Sequence, residues 1–271
     1  MDFHKLAWLT DIHLNFLQMT DRKKFYQSIN ESTTDAILMT GDIAEANSVC
    51  ELLSEFSMHT DKPIYFVLGN HDYYSGGVRR VREKILNFCA QHNKIIWLGK
   101  PEMIAINHYT FLVGQDGWAD ARYGDFDHSS LTLNDSRFIT ELYQALLESK
   151  SSLKDQMQKL ADADAKALQQ TLEKAIHATI KNIIIATHVP PFPECAWYKD
   201  KPSNDDWLPY FSSKATGDVI SAIVQKNPTI NFLVLCGHTH TKASFSPFQN
   251  LLIKTGKAHY YRPELQEIIS F

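Results

Sequence analysis

The sequence is poor in the features that mark secreted, membrane-spanning or nucleic-acid-binding proteins. Its four cysteines include no C-x-x-C pair and form no dense framework, so a reduced, cytoplasmic location is expected. No apolar run approaches the ~20 residues of a membrane span, and no basic segment followed by an apolar one suggests a signal peptide. The net charge of -4 shows no basic excess, which argues against general nucleic-acid binding.

Internal repeats, low-complexity tracts and a convincing interdomain linker are also missing. With 271 residues, 44% hydrophobic and 21% charged, the chain can bury a large core and has the composition of a globular protein. We therefore expect a single domain over residues 1–271.

The first third of the chain alternates between apolar, β-rich runs and helical segments. Strands are predicted at 5–10, 35–40 and 63–68, and a helix is expected after each one. The first of these helices is predicted at 21–32, with Asp21 as its N-cap. Such alternation indicates a parallel α/β core.

The remaining two thirds add a second set of strands and a helical elaboration at about 129–180. Segments 95–97, 102–106 and 109–113 predict a meander on a second sheet. Two helices are expected at 135–148 and 151–179, and the apolar stripe of the second favours packing against the sheet over a coiled coil with a partner. Later strands are predicted at 183–187, 230–236, 243–248, 251–255 and 268–271.

Residues of the types that bind metals follow five of the apolar runs. They are Asp11 and His13, then Asp42, Asn70, His188, and finally His238 and His240. Ligands of α/β proteins bind outside the carboxyl ends of the strands, so we expect these side chains at one edge of the molecule. The set is too large for one tetrahedral zinc and suits two five- or six-coordinate ions such as Mn, Fe or Zn. Asp42, whose carboxylate has two oxygens, is the expected bridge.

Each of these motifs has a structural alternative when it stands alone. Gly41-Asp42 is also typical of a turn, and a single histidine is often a hydrogen-bonded structural residue. Gly-His-Thr-His at 237–240 is more specific, because two histidines this close after a strand are costly without a ligand. The occurrence of all five sets in order favours the metal site.

These motifs resemble those of the calcineurin-like metallophosphoesterases. The matching stretches are Asp-Ile-His at 11–13, Gly-Asp-Ile-Ala-Glu at 41–45, Gly-Asn-His-Asp at 69–72, Thr-His-Val-Pro-Pro at 187–191 and Gly-His-Thr-His at 237–240. The resemblance implies a four-layer α/β/β/α sandwich, with two mixed sheets flanked by helices and two transition-metal ions, Mn or Fe with Zn as the alternative. It assigns one ion to Asp11, His13, Asp42 and His240, and the other to Asp42, Asn70, His188 and His238.

The same resemblance gives His71 the place of the histidine that does not bind metal. A histidine beside a metal ligand can protonate a departing alkoxide, and Asp72 could accept its other N–H and orient the ring. A hydroxide shared by the two ions would attack phosphorus in line with the leaving oxygen, while Asn70 and the ions stabilise the equatorial charge. The expected catalytic residues are therefore His71, Asp72 and Asn70.

Departures from the family's patterns narrow the expected substrate. The phosphoprotein phosphatase branch has Arg after the second motif and Glu after the third, whereas this chain has Ala44-Glu45-Ala46 and Asp72. Retention of His71 argues against the lipid A pathway branch, which has Arg there. The small-molecule and cyclic-nucleotide phosphodiesterase branch is the best match, so a small phosphoester is the expected partner. Phosphomonoesterase or phosphoprotein phosphatase activity, or a non-catalytic scaffold with the same fold, are the alternatives.

Two further groups are candidate substrate contacts. Arg122 follows a predicted strand and could pair with a phosphate, although a surface loop closed by local hydrogen bonds is an equal alternative. Trp197 and Tyr198 lie in the aromatic-rich loop 189–213, which leaves His188 directly and could stack a base. The alternative is that these aromatic rings only pack the loop down.

Overall fold

The computed structural model describes residues 3–177 and 179–271, which form two large sheets and flanking helices. Within these ranges the strands are β1 (Lys5–Leu9), β2 (Ala36–Thr40), β3 (Ile64–Val67), β4 (Ile95–Trp97), β5 (Ile104–Asn107), β6 (Thr110–Gly114), β7 (Asn182–Ala186), β8 (Trp197–Tyr198), β9 (Lys201–Pro202), β10 (Asn231–Cys236), β11 (Ala243–Phe248), β12 (Leu251–Thr255) and β13 (Glu267–Ser270). The α-helices are α1 (Met19–Asn30), α2 (Val49–Ser57), α3 (Val78–Cys89), α4 (Asp135–Phe138), α5 (Thr140–Glu148), α6 (Lys150–Ala175), α7 (Leu208–Phe211) and α8 (Lys214–Lys226).

Each large sheet has a parallel centre and at least one antiparallel edge. The first sheet has the order β13-β1-β2-β3-β4, with β13 antiparallel to β1 and the other pairs parallel. The second has the order β11-β12-β10-β7-β6-β5, with antiparallel edges β11 and β5. Parallel pairing aligns the carboxyl ends of the central strands in each sheet.

Alternation along the central strands explains the layered packing. In β1, Leu6 and Trp8 join a cluster that also contains Leu112 and Ile184 of the second sheet, so the two sheets pack face to face. The intervening Ala7 and Leu9 pack on the opposite side in a cluster with α1, α2 and α3. A third cluster joins the outer face of the second sheet to α6 and α8. The predicted sandwich of two mixed sheets flanked by helices is confirmed.

The predicted three-stranded meander at 95–113 is wrong. Strand β4 joins the first sheet parallel to β3, with Ile64 opposite Ile95, and only β5 and β6 form a hairpin in the second sheet. The reason is that α3 is a crossover connection, which returns the chain to the same sheet and places β4 beside β3. The short segment before β5 then carries the chain to the second sheet.

Several helix boundaries also differ from the prediction. Helix α1 begins at Met19, and its N-cap is Gln18, whose side chain makes no capping hydrogen bond, so Asp21 lies in the first turn instead. The helix predicted at 135–148 is interrupted at the buried Ile139, where the extended backbone pairs with Gly76. The predicted helix 151–179 is α6, which ends at Ala175, and residue 178 lies outside the described residues.

The loop 189–213 is more ordered than the sequence indicates. It contains a short 3-10 turn, the two-residue hairpin strands β8 and β9, and helix α7. The aromatic residues of this loop pack against one another. The ring centroids of Tyr198 and Trp207 are 4.6 Å apart, and the ring of Trp207 stacks on that of Phe211 at 5.0 Å.

Over the described residues, none of the helices combines the length and apolar character needed to cross a membrane.

Candidate metal centre

The carboxyl ends of five central strands converge on one cluster of carboxylates and imidazoles. Strand β1 leads into Asp11 and His13, and β2 leads into Asp42. Together with His240 after β10, these residues offer ligand atoms that all lie within 4.8 Å of one another. Asp11, His13 and Asp42 are at most 2% exposed, which makes a group of acids and imidazoles costly unless an ion balances them.

The backbone at this cluster adopts a conformation that is unusual for residues with a side chain. Ten non-glycine residues of the described chain have a positive φ, and five of them are Asp11, His13, Asp42, His238 and His240. The left-handed region costs such residues about 1–2 kcal/mol each. Backbone strain of this kind concentrates at functional sites, where the surrounding structure holds it in place.

Two glycines allow the strand ends to approach closely. Gly41 has φ +92°, and a Cβ at this position would meet the ring of His188 and the backbone nitrogen of Gly69. A Cβ on Gly69 would in turn meet Asp42 and His188. Both positions therefore require glycine for Asp42 and His188 to come together.

A second group of acceptors surrounds the side chain of Asn70. Its Oδ1 lies 2.9 Å from His188 Nε2 and 2.9 Å from His238 Nδ1. The opposite nitrogens of both rings face carbonyl oxygens, because His188 Nδ1 donates to Thr40 and His238 Nε2 donates to Tyr210. When each ring carries its single proton on the nitrogen that donates to a carbonyl, Asn70 Oδ1, His188 Nε2 and His238 Nδ1 direct three lone pairs towards one another with no hydrogen between them. This arrangement fits a cation.

Burial keeps the imidazole of His188 in the form that a metal ligand requires. The side chain is fully buried, and this burial lowers its pKa to about 3, with the charge of His238 lowering it further and that of Asp11 raising it. The ring is therefore neutral near pH 7, and the bond to Thr40 fixes its proton on Nδ1.

The carboxylate of Asp42 lies between the two groups. Its Oδ1 is 3.3 Å from His188 Nε2, and its Oδ2 is 3.8 Å from His13 Nε2. Burial and the charges of Asp11 and Asp72 raise the pKa of Asp42, so the bare carboxylate is destabilised. A pair of cations would reverse that effect, which fits the bridging place expected for Asp42.

The carboxylate of Asp11 is fixed by several donors. Burial alone would raise its pKa, but the hydrogen bond and charge of His240, together with the charges of His188 and His13, hold the pKa well below its usual range. Thr10 Oγ1 donates to Oδ2 at 2.6 Å, and the backbone N–H of His238 donates at 3.0 Å to Oδ1. Asp11 is therefore an ionised, oriented carboxylate at the meeting point of the two sheets.

His71 lies at the cluster, but Asp72 does not orient it. The His71 Nε2 atom is 3.9 Å from Asp42 Oδ2, its ring stacks 4.2 Å from Tyr74, and its side chain is 14% exposed. Within residues 3–177 and 179–271, the buried Nδ1 of His71 has no hydrogen-bond partner. Asp72 instead accepts backbone N–H groups of Ile43, Ala44 and Gly69 at 2.7–3.2 Å, so it joins the loops after β2 and β3 and does not bind the imidazole.

A groove of about 370 Å³ opens over the cluster. Asp42, Asn70, His71, His238 and His240 lie at its base, and its walls combine aromatic rings with Leu133, Asn134, Asp135 and Thr239. The aromatic wall residues are Tyr74, Tyr198, Trp207, Phe211 and Tyr260. Such a space, with a few polar groups and large rings, is typical of a small-molecule site.

Two of the three substrate candidates from the sequence are not at this groove. Arg122 pairs with Asp120 at 3.0 Å and with Asp162 at 2.8 Å, and it does not line the groove. The indole of Trp197 donates to the carbonyl of Glu194 and does not line the groove. Tyr198 does line it, in company with Trp207.

Three residues of the site were not recognised from the sequence. Tyr260 lies 4.7 Å from the ring of His13, Tyr74 stacks on His71, and Asp135 accepts the Asn70 amide N–H at 2.8 Å. Asp135 belongs to α4 and lies 65 residues from Asn70, so no local pattern indicated the contact. The repeated strand-end motif could not identify residues that follow no strand.

Asp135 determines which way the amide of Asn70 points. It accepts from Asn70 Nδ2 and from the hydroxyl of Tyr74 at 2.6 Å, while the Tyr74 oxygen lies 3.2 Å from Nδ2. Both hydrogens of the amide are therefore engaged, and Oδ1 faces the imidazoles. Because both N–H groups of Asn70 are engaged in this way, they are not placed to stabilise a phosphoryl oxygen as expected from the sequence.

We expect Asp135→Ala to lower the affinity for one of two metal ions by about 10–100-fold, the usual effect of removing a group that orients a ligand. Asp135→Asn should retain most of the affinity, because its amide oxygen can still accept from Asn70. Titration of the metal-free protein with Mn²⁺ would measure both. Asp127→Ala, which removes an exposed acid paired with Lys154, is the control and should change nothing. An unchanged affinity in Asp135→Ala would contradict this role.

Comparison with known proteins gives a consistent result for family and fold. Residues 4–242 match the family model described as calcineurin-like phosphoesterase. A phosphopantetheinyl hydrolase from Mycobacterium tuberculosis is similar in structure, with a TM-score of 0.64 and 13% identity over 95% of this chain and 90% of that one. A dimetal phosphatase from Danio rerio has a TM-score of 0.53 and 11% identity over 95% and 88%. No curated protein sequence matches the chain.

Proposed function

Since this chain belongs to the calcineurin-like phosphoesterase family and is a metal-dependent phosphoesterase, we propose that it hydrolyses a phosphodiester of a nucleotide or similar small molecule. The observation that carries the proposal is the groove itself, with metal-ligand residues and His71 at its base and aromatic rings on its walls.

Two separate groups support two ions: the cluster of Asp11, His13, Asp42 and His240, and the acceptors that converge on Asn70 Oδ1. Asp11, His13, Asp42 and His240 would hold one, and Asp42, Asn70, His188 and His238 the other, with Mn or Fe as the expected metals and Zn as the alternative. When bound, such ions activate water and stabilise the charge on phosphoryl oxygens. Five of the proposed ligands, Asp11, His13, Asp42, Asn70 and His188, are buried, so little reorganisation is needed to hold this charge in place.

His71 is the proposed proton donor to the leaving oxygen. It is the remaining imidazole at the base of the groove once the ligand sets are assigned. Burial lowers its pKa to about 4 in the substrate-free chain, and the carboxylates of Asp135 and Asp11 raise it in part. A phosphate anion in the groove would favour the imidazolium, because an opposite charge at contact distance raises the pKa of a base. His71 would thus gain its proton as substrate binds.

The aromatic walls favour a substrate with a planar group. Tyr198 and Trp207 form one wall, and Tyr260 stands on the side of His13 and His240. Stacking of a base on an aromatic side chain is worth about 1–3 kcal/mol. A nucleotide would gain this free energy, whereas a small phosphate ester that contacts only the base of the groove would not.

The test is a hydrolysis panel with metal-reconstituted protein, comparing linear and cyclic nucleotide diesters, phosphomonoesters and small aryl phosphates. We expect the highest kcat/KM for a nucleotide diester, and we expect Tyr198→Ala or Trp207→Ala to raise KM for that substrate about ten-fold, equivalent to about 1.4 kcal/mol. The KM for a small aryl phosphate should barely change. Trp197→Ala is the matched control, because its indole lies outside the groove.

The panel also separates the alternatives. A preference for phosphomonoesters would replace the diester proposal, although the metal centre would stand. Equal losses on both substrate types in Tyr198→Ala and Trp207→Ala, with metal content reduced, would mean that these rings only anchor the loop that follows His188. In that case the proposed planar group would be abandoned.

A further inference from the structure

A second cluster of charged side chains lies behind the metal centre and takes no part in the proposed chemistry. Its centre is the guanidinium of Arg82 in α3, which bonds both oxygens of Asp164 in α6, at 2.9 Å from Nη1 and 2.7 Å from Nη2. The same guanidinium reaches Asp116 Oδ2 at 3.0 Å and the hydroxyl of Tyr73 at 2.9 Å. The carboxylates of Asp116 and Asp164 are only 1% and 3% exposed. Burial of such charges requires full compensation, so the geometry of this cluster is tightly constrained.

The carboxylate of Asp116 connects this cluster to one ligand-bearing loop. Its Oδ1 accepts the backbone N–H of Leu68 at 2.8 Å, two residues before Asn70. The same oxygen accepts the Trp97 indole N–H at 2.8 Å, and Oδ2 accepts the hydroxyl of Tyr73 at 2.6 Å. The side chain of Asp116 therefore fixes the end of β3, from which Asn70 projects.

The backbone of the same residue connects to a second ligand. The carbonyl oxygen of Asp116 accepts the backbone N–H of His188 at 2.8 Å. The neighbouring Gly117 donates its N–H to Asp164 Oδ2 at 3.1 Å. Helix α6 therefore contacts the segment of Asp116 both through this backbone bond and through Arg82. Asn70 and His188, whose Oδ1 and Nε2 atoms lie 2.9 Å apart, are thus held from behind by one hydrogen-bonded unit.

We infer that Arg82 and Asp164 are positioning residues for the ion held by Asn70 and His188, and that helix α6 thereby supports the metal centre. In the chain, helix α6 lies between β6 and β7. The hydrogen bonds of its Asp164 are to Arg82 and Gly117, and not to a proposed metal ligand. Its influence passes through Arg82 and Asp116 to the loops that carry the ligands. The inference rests on the ligand assignment proposed above.

The test measures Mn²⁺ binding to the whole protein after metal removal, by titration and by the electron paramagnetic resonance signal of a coupled Mn pair. Asp164→Asn removes one charge but keeps the shape of the contact. We expect it to weaken one Mn²⁺ site by about ten-fold or more, within the range for groups that orient ligands, and to leave the other site unchanged. The coupled signal should then appear only at higher Mn²⁺ concentration.

Arg82→Lys gives a second measure, since it keeps the charge and loses the two-pronged contact with Asp164. It is read in the same way if Asp164→Asn does not fold. The matched control is Glu55→Gln, which alters the Arg22–Glu55 pair, also two-pronged with both contacts at 2.8 Å and side chains 15% and 17% exposed. This variant should lower the melting temperature while both Mn²⁺ affinities stay at the level of the unmodified protein.

Wild-type Mn²⁺ affinity at both sites in Asp164→Asn or Arg82→Lys, with only a loss of stability like that of Glu55→Gln, would overturn the inference. Failure of the ligand assignment gives a different result. In that case Asn70→Ala, measured alongside, would still bind two Mn²⁺ ions with unchanged affinity.

Discussion

Replacement of Asp42 by alanine should remove both metal ions and lower kcat at least about a thousand-fold. The carboxylate is the one group in both proposed ligand sets, with Oδ1 3.3 Å from His188 and Oδ2 3.8 Å from His13. Loss of the ions removes several kcal/mol of stabilisation from the transition state, and about 4 kcal/mol corresponds to a thousand-fold. Elemental analysis of the purified variant, together with kcat on an aryl phosphodiester, measures both effects.

His13→Ala is the control for Asp42→Ala, because His13 belongs to only one of the two ligand sets. We expect this variant to retain about one ion per chain under conditions where the unmodified protein holds two. An Asp42→Ala variant that keeps two ions would exclude a bridging carboxylate. One ion in the unmodified protein would exclude the dinuclear assignment as a whole.

Replacement of His71 by asparagine should lower kcat by about 10²–10⁴-fold for a substrate with a poor leaving group, while metal content stays unchanged. The reason is that an alkoxide leaving group requires a proton as it departs. An activated aryl leaving group needs little protonation, so its hydrolysis should be affected much less. Measured on the two substrates, kcat in the variant and the unmodified protein gives the comparison.

The pH dependence provides an independent check on His71. Burial holds the pKa of the free imidazole down at about 4, and the bound phosphate anion would raise it. The group must be protonated to act as an acid, so activity is lost as pH rises through its pKa. The basic limb of the kcat profile should therefore lie at higher pH than that of kcat/KM. Equal losses on both leaving groups in His71→Asn, or coincident limbs, would argue against proton donation.

The residues of the two proposed ligand sets could be located from the sequence because each one lies within four residues after the end of a strand. An apolar run and the polar residues at its end are local features that can be recognised in a sequence. The rule that ligands bind at the carboxyl ends of strands then predicts that these residues lie at one site. The structure brings Asp11, His13, Asp42 and His240 together in this way, with Asn70, His188 and His238 beside them. The layered fold could be predicted for a related reason, since alternation in β1 separates two packed faces.

The contacts that orient the ligands could not be predicted, because they join distant parts of the chain. Asp135 reaches Asn70 across 65 residues, and Arg82 reaches Asp164 across 82. The partners of Asp72 could not be predicted either. Its place beside His71 in the sequence suggested a hydrogen bond to the imidazole, but Asp72 accepts backbone N–H groups instead. In each case the hydrogen-bond partner of a charged side chain is determined by the tertiary structure and not by the neighbouring sequence.

The left-handed backbone at Asp11, His13, Asp42, His238 and His240 has a consequence for how this edge of the protein can change. Glycine adopts a positive φ without steric strain, whereas alanine is strained there like the native residue. Substitution of a ligand by glycine therefore abolishes metal binding but removes the backbone strain at that position, which can make the metal-free chain more stable. The ligand positions are therefore places where folding and activity favour different residues. Any transfer of the ligand set to another scaffold must therefore carry over these turns as well as the side chains.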